Sequence, residues 1–502
     1  MEQRLTCLAQ TECEERGWDF EDIFKYQYRI TRSADATAKL SDHWKTLTFG
    51  NLTIEHCPAL PSSRLTDERG AVIGIVLGIA IGPDGTCLDQ VVTPAQRGPA
   101  LEEWIEQLAG RFVILAQSGS QIRFYLDAAG NLSAVYNAEA GIVGSSVPLV
   151  VEGPLSMHPD IDLALVLEKK ERFAFGDTVD TRVTRARPNH YLDMGDFTSL
   201  RHWPRSDTPF AELDESRRAC ITEIGDRLTG TIGALTASYD CALPVTAGQD
   251  SRIILAAATP YLENIKEFYC YHLNRSTQVD AVGATRLAEQ LALPMRIISR
   301  RSPLVQSHLP ASFDEEEYQR MLLRTGWCYG MRKDWGRFVA MSPQVDVVLR
   351  GTGLEMTRAN KWSEESSNEP CSSVNGLRAL TGLRPGKRRT AQQEKRYLHL
   401  LEKYQAWMDT LPVQAHSRLY DLAHVELMMP AGPVLEYSAY VRHFPVNPFN
   451  DRRLYQLTCA IAPRARMRGS VVRKLIAARN RSLLRIPFHR ELSGQMAAPQ
   501  EP

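Results

Sequence analysis

Short apolar runs and polar turns alternate along the first part of the chain. Up to about residue 150 these runs are rich in β-branched residues and are bounded by glycine, asparagine or aspartate, a pattern typical of antiparallel strands. The pattern predicts strands over residues 71–81, 111–116, 122–126, 132–136 and 142–150, and an amphipathic helix over 101–108. This part of the chain is therefore predicted to be an antiparallel α+β domain.

Beyond about residue 205 the pattern changes to strands that alternate with helices. Strands are predicted over 241–245, 266–273, 294–298 and 345–349, and helices over 217–235, 253–258, 280–290, 315–323, 394–411 and 417–428. Asp280 is interpreted as the N-cap that opens its helix. Such alternation implies a parallel sheet with right-handed crossovers, in which ligands bind at the carboxyl ends of the strands. The 502 residues are therefore divided into two predicted domains, 1–205 and 206–502.

One polar loop, residues 245–252 (Val-Thr-Ala-Gly-Gln-Asp-Ser-Arg), joins a predicted strand to a predicted helix. Backbone N–H groups and the dipole at a helix start favour an anion, and Gly248 lets the backbone come close to it. Thr246 and Ser251 can add hydroxyl donors. Asp250 would repel a phosphate unless a cation lay between them, so it indicates Mg²⁺. The loop is predicted to be a phosphate cradle, with an ordinary strand–helix turn as the alternative.

This octet resembles the pyrophosphate loop of the asparagine synthetase family, which usually reads Ser-Gly-Gly-x-Asp-Ser. Thr246 stands for the serine and Ala247 for the first glycine, whereas Gly248, Asp250 and Ser251 match.

A second loop, residues 350–355, supports the resemblance. The family carries a Gly-x-Gly-x-Asp-Glu-type loop farther along the chain, and Gly351, Gly353 and Glu355 match its spacing, with Glu355 in the place of the acid. A nucleotide triphosphate with Mg²⁺ needs a carboxylate from outside the phosphate loop, which Glu355 would supply beside Asp250. The alternative is a glycine turn followed by a solvated glutamate.

The first half of the chain is similar to the amidotransferase domain at the front of these synthetases. The similar segments are 110–112, 125–127, Gly130, 135–136, 144–146 and 184–192. The resemblance therefore implies an N-terminal Ntn-hydrolase-like antiparallel α+β domain, followed by a PP-loop (HUP-type) parallel-sheet α/β synthetase domain with a helical C-terminal part.

One departure concerns the source of nitrogen. In glutamine-dependent members the residue after the initiator methionine is a cysteine, whose thiolate attacks glutamine while the freed amine acts as base. Here that position is Glu2, and Cys7 and Cys13 lack such an amine. The resemblance then implies a domain that supports the second half without hydrolysing glutamine.

The resemblance also implies ATP and Mg²⁺ as ligands, with Asp250 and Glu355 as metal ligands and catalytic groups. The strand 268–273 would offer backbone groups to the adenine. The implied nucleotide-binding residues are Val245, Thr246, Gly248, Asp250, Ser251, Arg252, His272, Leu273, Gly351 and Gly353. Residues 361–370 are interpreted as a loop beside the site, either a lid or a solvated surface loop.

The C-terminal part is basic. From residue 452 to 490 there are eleven Arg or Lys and no Asp or Glu, which favours an anionic ligand or partner, or solvated helix faces. Family members place a catalytic lysine near the C-terminus; no clean match exists here, and Lys474 is the candidate, with Arg485 and Arg490 as others. Residues 445–454 resemble the family's Pro-Phe-x-Asp segment, which packs near the acyl site.

Composition narrows the class of protein. Apolar residues make up 43% and charged residues 24%, as in globular proteins, and the zero net charge gives no general preference for nucleic acid or acidic lipid. The ten cysteines form no C-x-x-C pair, which indicates reduced cytosolic thiols and a cytoplasmic location. The N-terminus is not typical of a signal peptide, and the longest apolar run, 71–82, is too short to span a bilayer.

The resemblance implies an AMP-forming carbon–nitrogen ligase, similar in kind to β-lactam synthetases and lasso-peptide cyclases. ATP would activate a small-molecule or peptide carboxylate to an acyl-adenylate, and an amine would attack it and expel AMP. No membrane span and no nucleic-acid partner are expected, and a homodimer stays open.

Two alternative functions are open. Ala247, Glu355 and the missing lysine favour a catalytically degenerate scaffold or partner protein. The other alternative is a PP-loop RNA-modifying enzyme, against which the absence of cysteine pairs and the neutral charge both count.

Overall fold

The computed structural model describes residues 6–32, 39–94, 99–210, 217–300, 313–366, 371–383, 390–432 and 442–497. The strands are β1 (Tyr28–Arg32), β2 (Lys45–Phe49), β3 (Leu52–His56), β4 (Ser62–Thr66), β5 (Val72–Ile81), β6 (Val91–Val92), β7 (Ala109–Ser118), β8 (Gln121–Leu126), β9 (Val135–Asn137), β10 (Ile142–Gly144), β11 (Thr184–Arg185), β12 (His190–Asp193), β13 (Ser199–Arg201), β14 (Cys241–Pro244), β15 (Ile265–His272), β16 (Met295–Ser299), β17 (Val347–Leu349) and β18 (Phe444–Val446). The α-helices are Leu8–Arg16, Phe20–Ile23, Pro99–Glu106, Leu163–Leu167, Arg217–Ser238, Gln249–Ala257, Arg275–Leu291, Phe313–Thr325, Trp335–Met341, Ser373–Thr381, Ala391–Met408, Leu419–Ala423, Arg452–Ala460, Pro463–Met467, Ser470–Asn480 and His489–Ala497. Shorter helical segments are the 3-10 turns Val147–Leu149, Thr259–Asn264, Leu354–Arg358, Val413–Arg418, Met429–Ala431 and Arg481–Arg485, and the π-helical turn His424–Met428.

Two sheets form the N-terminal part of the molecule. Within the described residues, one has six strands in the order β11-β9-β10-β1-β3-β2 and the other seven in the order β13-β12-β8-β7-β5-β4-β6. Neighbouring strands are antiparallel, except that β4 pairs with β6 in parallel. The antiparallel sheets predicted for the first half are therefore confirmed.

Side-chain alternation explains how these sheets pack. Successive strand residues point to opposite faces. On β5, Ile75 and Leu77 pack in one core with Tyr28 of the other sheet. Val76 instead packs in a separate cluster with Leu101, from the helix Pro99–Glu106. One face of the second sheet therefore packs against the first sheet, and its other face is covered by the helix.

Two predicted strand boundaries in this part are wrong. The strand predicted over 142–150 ends at Gly144, and a 3-10 turn follows in which Pro148 has no N–H to give to a ladder. The strand predicted over 132–136 begins only at Val135. The N–H groups of Asn131 and Leu132 instead donate to the buried carboxylate of Asp127, at 2.7 and 2.8 Å.

The second half contains the predicted parallel sheet. Its five described strands lie in the order β16-β15-β14-β17-β18, and every neighbouring pair is parallel. The first strand of the sheet, β14, is central; the chain adds β15 and β16 on one side, then β17 and β18 on the other. The direction of winding reverses between β14 and β17, and a crevice forms at the carboxyl ends of such a pair.

Two details of this half differ from the prediction. The helix predicted to open at Asp280 begins at Arg275, because Asn274 and Thr277 cap it reciprocally and Asp280 lies within it. The short strand β18 was not predicted. It contains Pro445 and lies at the edge of the sheet, the position where a strand tolerates a proline.

Buried polar contacts join the two halves through residues 450–452. The Asn450 amide donates to the Gly110 carbonyl at 2.6 Å and to Asp127 at 2.7 Å. The Arg452 guanidinium donates to Asn189 at 2.9 Å. The beginning of the helix Arg452–Ala460 is thereby fixed against the N-terminal sheets.

The helices and the cysteines bear on two expectations, membrane crossing and disulfide bonding. None of the helices in the described ranges combines the length and apolar character needed to cross a lipid bilayer. All ten cysteines are free thiols, and most are buried.

Candidate functional site

A cleft of about 360 Å³ opens at the crevice between the carboxyl ends of β14 and β17. Both predicted loops contribute to it, one from each strand. The residues that line it are Leu243, Pro244, Thr246, Asp250, Ser251, Ile254, Leu349, Arg350, Gly351, Thr352 and Glu355. The sheet topology therefore brings together two loops that lie about a hundred residues apart in the sequence.

The loop after β14 is held in shape by its own hydroxyl groups. The Thr246 and Ser251 hydroxyls lie 2.8 Å apart, and the Gly248 N–H donates to the Thr246 hydroxyl at 3.0 Å. Gly248 is the N-cap of the helix Gln249–Ala257. The first N–H groups of a helix have no acceptor within it, and the helix dipole is positive at that end. This loop therefore has the chemistry of an anion site.

Ala247 is the residue that departs from the family loop, and its side chain points away from the cleft. It is fully buried and packs with Val279 and Leu492. A Cβ placed on Gly283, in the helix Arg275–Leu291, would lie only 2.5 Å from the Ala247 Cβ. The methyl group of Ala247 therefore fills space that Gly283 leaves open, and it does not obstruct the cleft.

This contact predicts a coupled pair of substitutions. Gly283→Ala should lower the free energy of unfolding by about 1–3 kcal/mol, because the new methyl overlaps that of Ala247. Ala247→Gly should remove only part of this loss in the double variant, because the new Cβ would still lie 2.9 Å from the Ala247 Cα; the rescue is measured as a coupling energy by urea denaturation. Gly230→Ala is the matched control, since a Cβ there meets nothing within 4 Å in another helix. Equal effects of Gly283→Ala and Gly230→Ala would refute the overlap.

Asp250 places a carboxylate in the cleft, and only one of its two oxygens has a hydrogen-bond partner among the described residues. Its Oδ2 accepts a hydrogen bond from Arg358 at 2.8 Å, whereas its Oδ1 is buried with no hydrogen-bond partner in the described residues. Burial raises the pKa of Asp250 to about 6, Arg358 opposes this rise and the charge of Glu355 adds to it. An unused buried oxygen of this kind is costly unless a ligand or cation satisfies it.

Glu355 is the second carboxylate, and the protein holds both of its oxygens. It accepts from the Gly353 N–H at 2.8 Å and contacts His424 Nε2 at 3.0 Å. Burial acts to raise the pKa of Glu355, but the hydrogen bond and charge of His424 outweigh burial, so the pKa is lowered. The Glu355 carboxylate is therefore ionised and fixed in orientation.

Steric constraints explain why residues 351 and 353 of the second loop are both glycines. Gly353 has φ +92°, a conformation that side chains other than glycine rarely adopt. Gly351 lies against Asp250, where an added Cβ would come within 3.2 Å of the Asp250 Cβ. Phe449 and Tyr455 pack against Gly353, so the part of the segment 445–454 that contains Phe449 lies beside this loop.

The donor set fits a hard cation in part. Mg²⁺ prefers oxygen ligands and is usually held by one or two carboxylates together with waters and substrate phosphates. Asp250 Oδ1 is available, whereas the Glu355 oxygens already accept bonds from Gly353 and His424. The arrangement fits a cation held by Asp250 and by the phosphates of a bound substrate, with the Glu355 carboxylate as a nearby negative charge.

Two predicted residues of the first loop lie outside the cleft. Arg252 is fully buried; its guanidinium donates to the Pro487 carbonyl at 3.0 Å and lies 4.1 Å from the Phe488 ring centre. Val245 is also fully buried, and its N–H donates to the Tyr269 carbonyl. These contacts fix the strand and helix to the core, which gives both residues a structural role.

The adenine-binding prediction concerns the end of β15. Neither His272 nor Leu273 lines the cleft. The Leu273 N–H donates to the Thr277 hydroxyl at 2.7 Å, and the His272 carbonyl accepts from the Arg300 N–H at 3.3 Å. The backbone groups expected to face adenine therefore already have partners. The Leu273 N–H caps the next helix, and the His272 carbonyl bonds to Arg300 at the end of β15.

The structure does not bring the predicted basic residues to the cleft. Lys474, Arg485 and Arg490 are exposed and do not line it. Other members of the basic run are neutralised by acids elsewhere in the chain. These ion pairs are Arg453–Glu223, Arg466–Asp421, Arg473–Glu491 and Arg479–Asp226.

Three residues near the carboxylates were missed. Arg358 pairs with Asp250, and His424 contacts Glu355. Lys361 is half-buried; burial and the charge of Arg172 lower its pKa, and the charge of Glu355 opposes this. Arg358 and Lys361 follow Glu355 closely in the sequence, a proximity that could have indicated them, whereas His424 comes from a distant segment and carried no signal.

Two sequence comparisons with known proteins found no relative of this chain. No protein-family model matches the chain, and a search of curated proteins found no similar sequence.

Proposed function

We propose that the cleft binds ATP with Mg²⁺, and that the chain is an AMP-forming carbon–nitrogen ligase of the asparagine synthetase kind. The observation that carries the proposal is the meeting of the two loops across one crevice, with Asp250 Oδ1 unsatisfied between them. On this proposal the N-terminal part is an Ntn-hydrolase-like domain and the C-terminal part a HUP-type synthetase domain.

Four of the residues that line the cleft have a role in this proposal. The Thr246 and Ser251 hydroxyls and the first N–H groups of the helix Gln249–Ala257 bind the β- and γ-phosphates. Asp250 holds the cation, and Glu355 adds a fixed negative charge beside it. When bound, Mg²⁺ neutralises phosphate charge. The substrate carboxylate attacks the α-phosphorus, and the bond to pyrophosphate breaks. An amine then attacks the acyl carbon, the bond from that carbon to AMP breaks, and the amine gives up a proton to solvent.

Lys361 is the cation proposed in place of Lys474. Like Lys474 it does not line the cleft, but its side chain is half-buried and the charge of Glu355 acts on it, whereas Lys474 is exposed on its helix. A positive charge held near the carboxylates stabilises the charge that develops on the leaving groups.

The amine is proposed to come from the substrate itself. Glu2 lies outside the described residues, and the nearby thiols Cys7 and Cys13 are buried. Burial raises the pKa of both thiols, that of Cys13 to about 12. Since the thiolate is the reactive form, both are weak nucleophiles at neutral pH, which supports a ligase that does not use glutamine.

Calorimetric titration with a non-hydrolysable ATP analogue and Mg²⁺ tests the proposal. Asp250→Ala should weaken Mg²⁺-dependent binding at least about tenfold, because it removes the available carboxylate oxygen. Asp240→Ala is the control, since this acid is exposed and pairs with Lys266 just before β14 begins. Wild-type affinity should also fall as the pH drops below about 6, where Asp250 becomes protonated.

The ion pair of Arg358 with Asp250 favours a second candidate, a catalytically degenerate scaffold or partner protein. Arg358 already neutralises the acid that a cation would need. Folded wild-type protein that binds no analogue, with or without added carboxylates, would reject the ligase and leave the scaffold. Equal binding by wild type and Asp250→Ala would reject the assigned role of Asp250.

A further inference from the structure

A second cavity, also of about 360 Å³, lies where the two halves of the chain meet. One wall consists of β11, the beginning of β12 and β13, and the other includes Glu426 and Leu427 of the π-helical turn His424–Met428. Its volume is within the range of small-molecule sites, about 300–1,000 Å³. It shares no lining residue with the cleft at β14 and β17.

Positive charge dominates the lining of this cavity. Arg185, Arg187 and Arg201 line it together with a single acid, Glu426. Glu426 is fully engaged, because both of its oxygens accept from Arg201 at 2.8 Å and one also accepts from Trp407 at 2.6 Å. The acid therefore holds Arg201 in place and has no oxygen left to pair with Arg187.

The Arg187 guanidinium has no acceptor among the described residues that line the cavity. No hydrogen bond or ion pair joins its guanidinium to any residue that the structure describes, and the side chain is half-buried, so its N–H groups are open to the cavity. Burial lowers the pKa of Arg187 and the charge of Arg201 lowers it further, while Glu426 opposes both. A guanidinium has five N–H donors and stays protonated, so a half-buried guanidinium without a protein acceptor can pair with an anion that enters the cavity.

The rest of the lining indicates the shape of that anion. Phe175, Leu200 and Leu427 contribute apolar surface beside the guanidinium. His190 also lines the cavity, but burial and the charge of Arg201 lower its pKa to about 3, so it stays neutral. The preference for an anion thus comes from the arginines and does not change around neutral pH.

We propose that this cavity is a binding site for a small organic carboxylate, which pairs with Arg187 and lays an apolar body against Phe175, Leu200 and Leu427. The planar fork of arginine binds a carboxylate through two parallel hydrogen bonds. The site stands independently of the nucleotide cleft.

Phenylacetate is a suitable probe, titrated into the full chain by calorimetry with phenylacetamide as its uncharged counterpart. Phenylacetate should bind saturably and phenylacetamide should not. Arg187→Gln should weaken phenylacetate binding at least about tenfold, the loss of one charge-assisted pair. Arg64→Gln is the matched control, because Arg64 is exposed on β4 and should leave binding unchanged. Asp250→Ala should also leave it unchanged, which separates this site from the proposed ligase cleft.

A second variant decides the question if Arg187→Gln does not fold. Leu200 lies at the rim of the cavity and is 49% exposed, so Leu200→Trp should fill the cavity without removing charge and should abolish binding. Unchanged affinity in Leu200→Trp would overturn the proposal, as would equal binding of phenylacetamide. Binding of phenyl phosphate without phenylacetate would overturn the carboxylate class, and no saturable binding of phenylacetate to folded wild type would overturn the site.

Discussion

Asp421→Asn should lower the free energy of unfolding by about 3–5 kcal/mol, because it removes the carboxylate that the buried Arg466 guanidinium faces. The two side chains are 2% and 0% exposed, and they form two hydrogen bonds of 2.9 and 2.5 Å. Asparagine keeps the shape but turns an N–H₂ group or a neutral oxygen toward a positive charge. Trp362 also donates to Asp421 at 3.0 Å, so the substitution disturbs a second, half-buried donor.

The same ion pair supports the cleft. Arg466 donates to the Met356 carbonyl at 2.7 Å, within the 3-10 turn Leu354–Arg358 that carries Glu355. If Arg466 shifts when Asp421 is changed, the second loop loses one of its anchors. We therefore expect any Mg²⁺-dependent nucleotide affinity to fall together with stability in this variant.

Urea denaturation measures the loss, and Asp226→Asn serves as the control. Asp226 is 61% exposed and pairs with Arg479 at the surface, where an ion pair contributes about 0–1 kcal/mol. A loss in Asp421→Asn no larger than that in Asp226→Asn would show that Arg466 finds equivalent partners elsewhere.

The local parts of the site were predictable from the sequence, and their neighbours were not. A strand, a glycine-containing polar loop and a helix follow one another within a short stretch, so Thr246, Asp250 and Ser251 could be assigned from spacing alone. The rule that ligands bind at the carboxyl ends of parallel strands then placed Gly351 and Glu355 in the same crevice.

Residues that depend on the direction of a side chain escaped prediction. Arg252 belongs to the predicted loop, but it falls on the face of the helix Gln249–Ala257 that packs on Phe488, so it points into the core. Gly283 and Ala247 lie in separate elements, and only their contact explains why the loop tolerates a methyl group. His424 reaches Glu355 through tertiary packing, which no local pattern in the sequence reports.

The anion cavity escaped prediction for a related reason. Its walls come from two regions far apart in the sequence, and the only feature of the segment 184–192 that the sequence itself shows is its similarity to a closing segment. Arg187 differs from the cavity's other two arginines because Arg185 donates to Ser133 and Arg201 to Glu426, whereas no acceptor among the described residues reaches Arg187, a property that exists only once the halves are packed together.

Glu426→Gln is expected to be the second strongly destabilising substitution, again by about 3–5 kcal/mol, because it leaves Arg201 without its charge at the junction of the two halves. Glu426 accepts from Arg201 and Asn189 of the N-terminal part and from Trp407 of the C-terminal part, and its side chain is fully buried. π-helical turns, such as the one that carries it, are often found at functional sites. The variant should therefore loosen the contact between the halves as well as the wall of the anion cavity.

The pKa of Glu426 predicts how the destabilisation caused by Glu426→Gln depends on pH. Burial acts to raise the pKa of Glu426, but the charge and hydrogen bonds of Arg201 outweigh it, so the pKa is lowered in the folded protein. A lowered pKa contributes stability that is fully present above the pKa of an unfolded glutamate, about 4.3, and is lost as the pH falls through the folded value. The difference in unfolding free energy between wild type and Glu426→Gln should thus be full at neutral pH and shrink in acid. Glu316→Gln, which changes a surface pair with Arg320, should show a small difference at either pH. A difference for Glu426→Gln that is small at neutral pH, or that grows in acid, would mean that the junction does not depend on this ion pair.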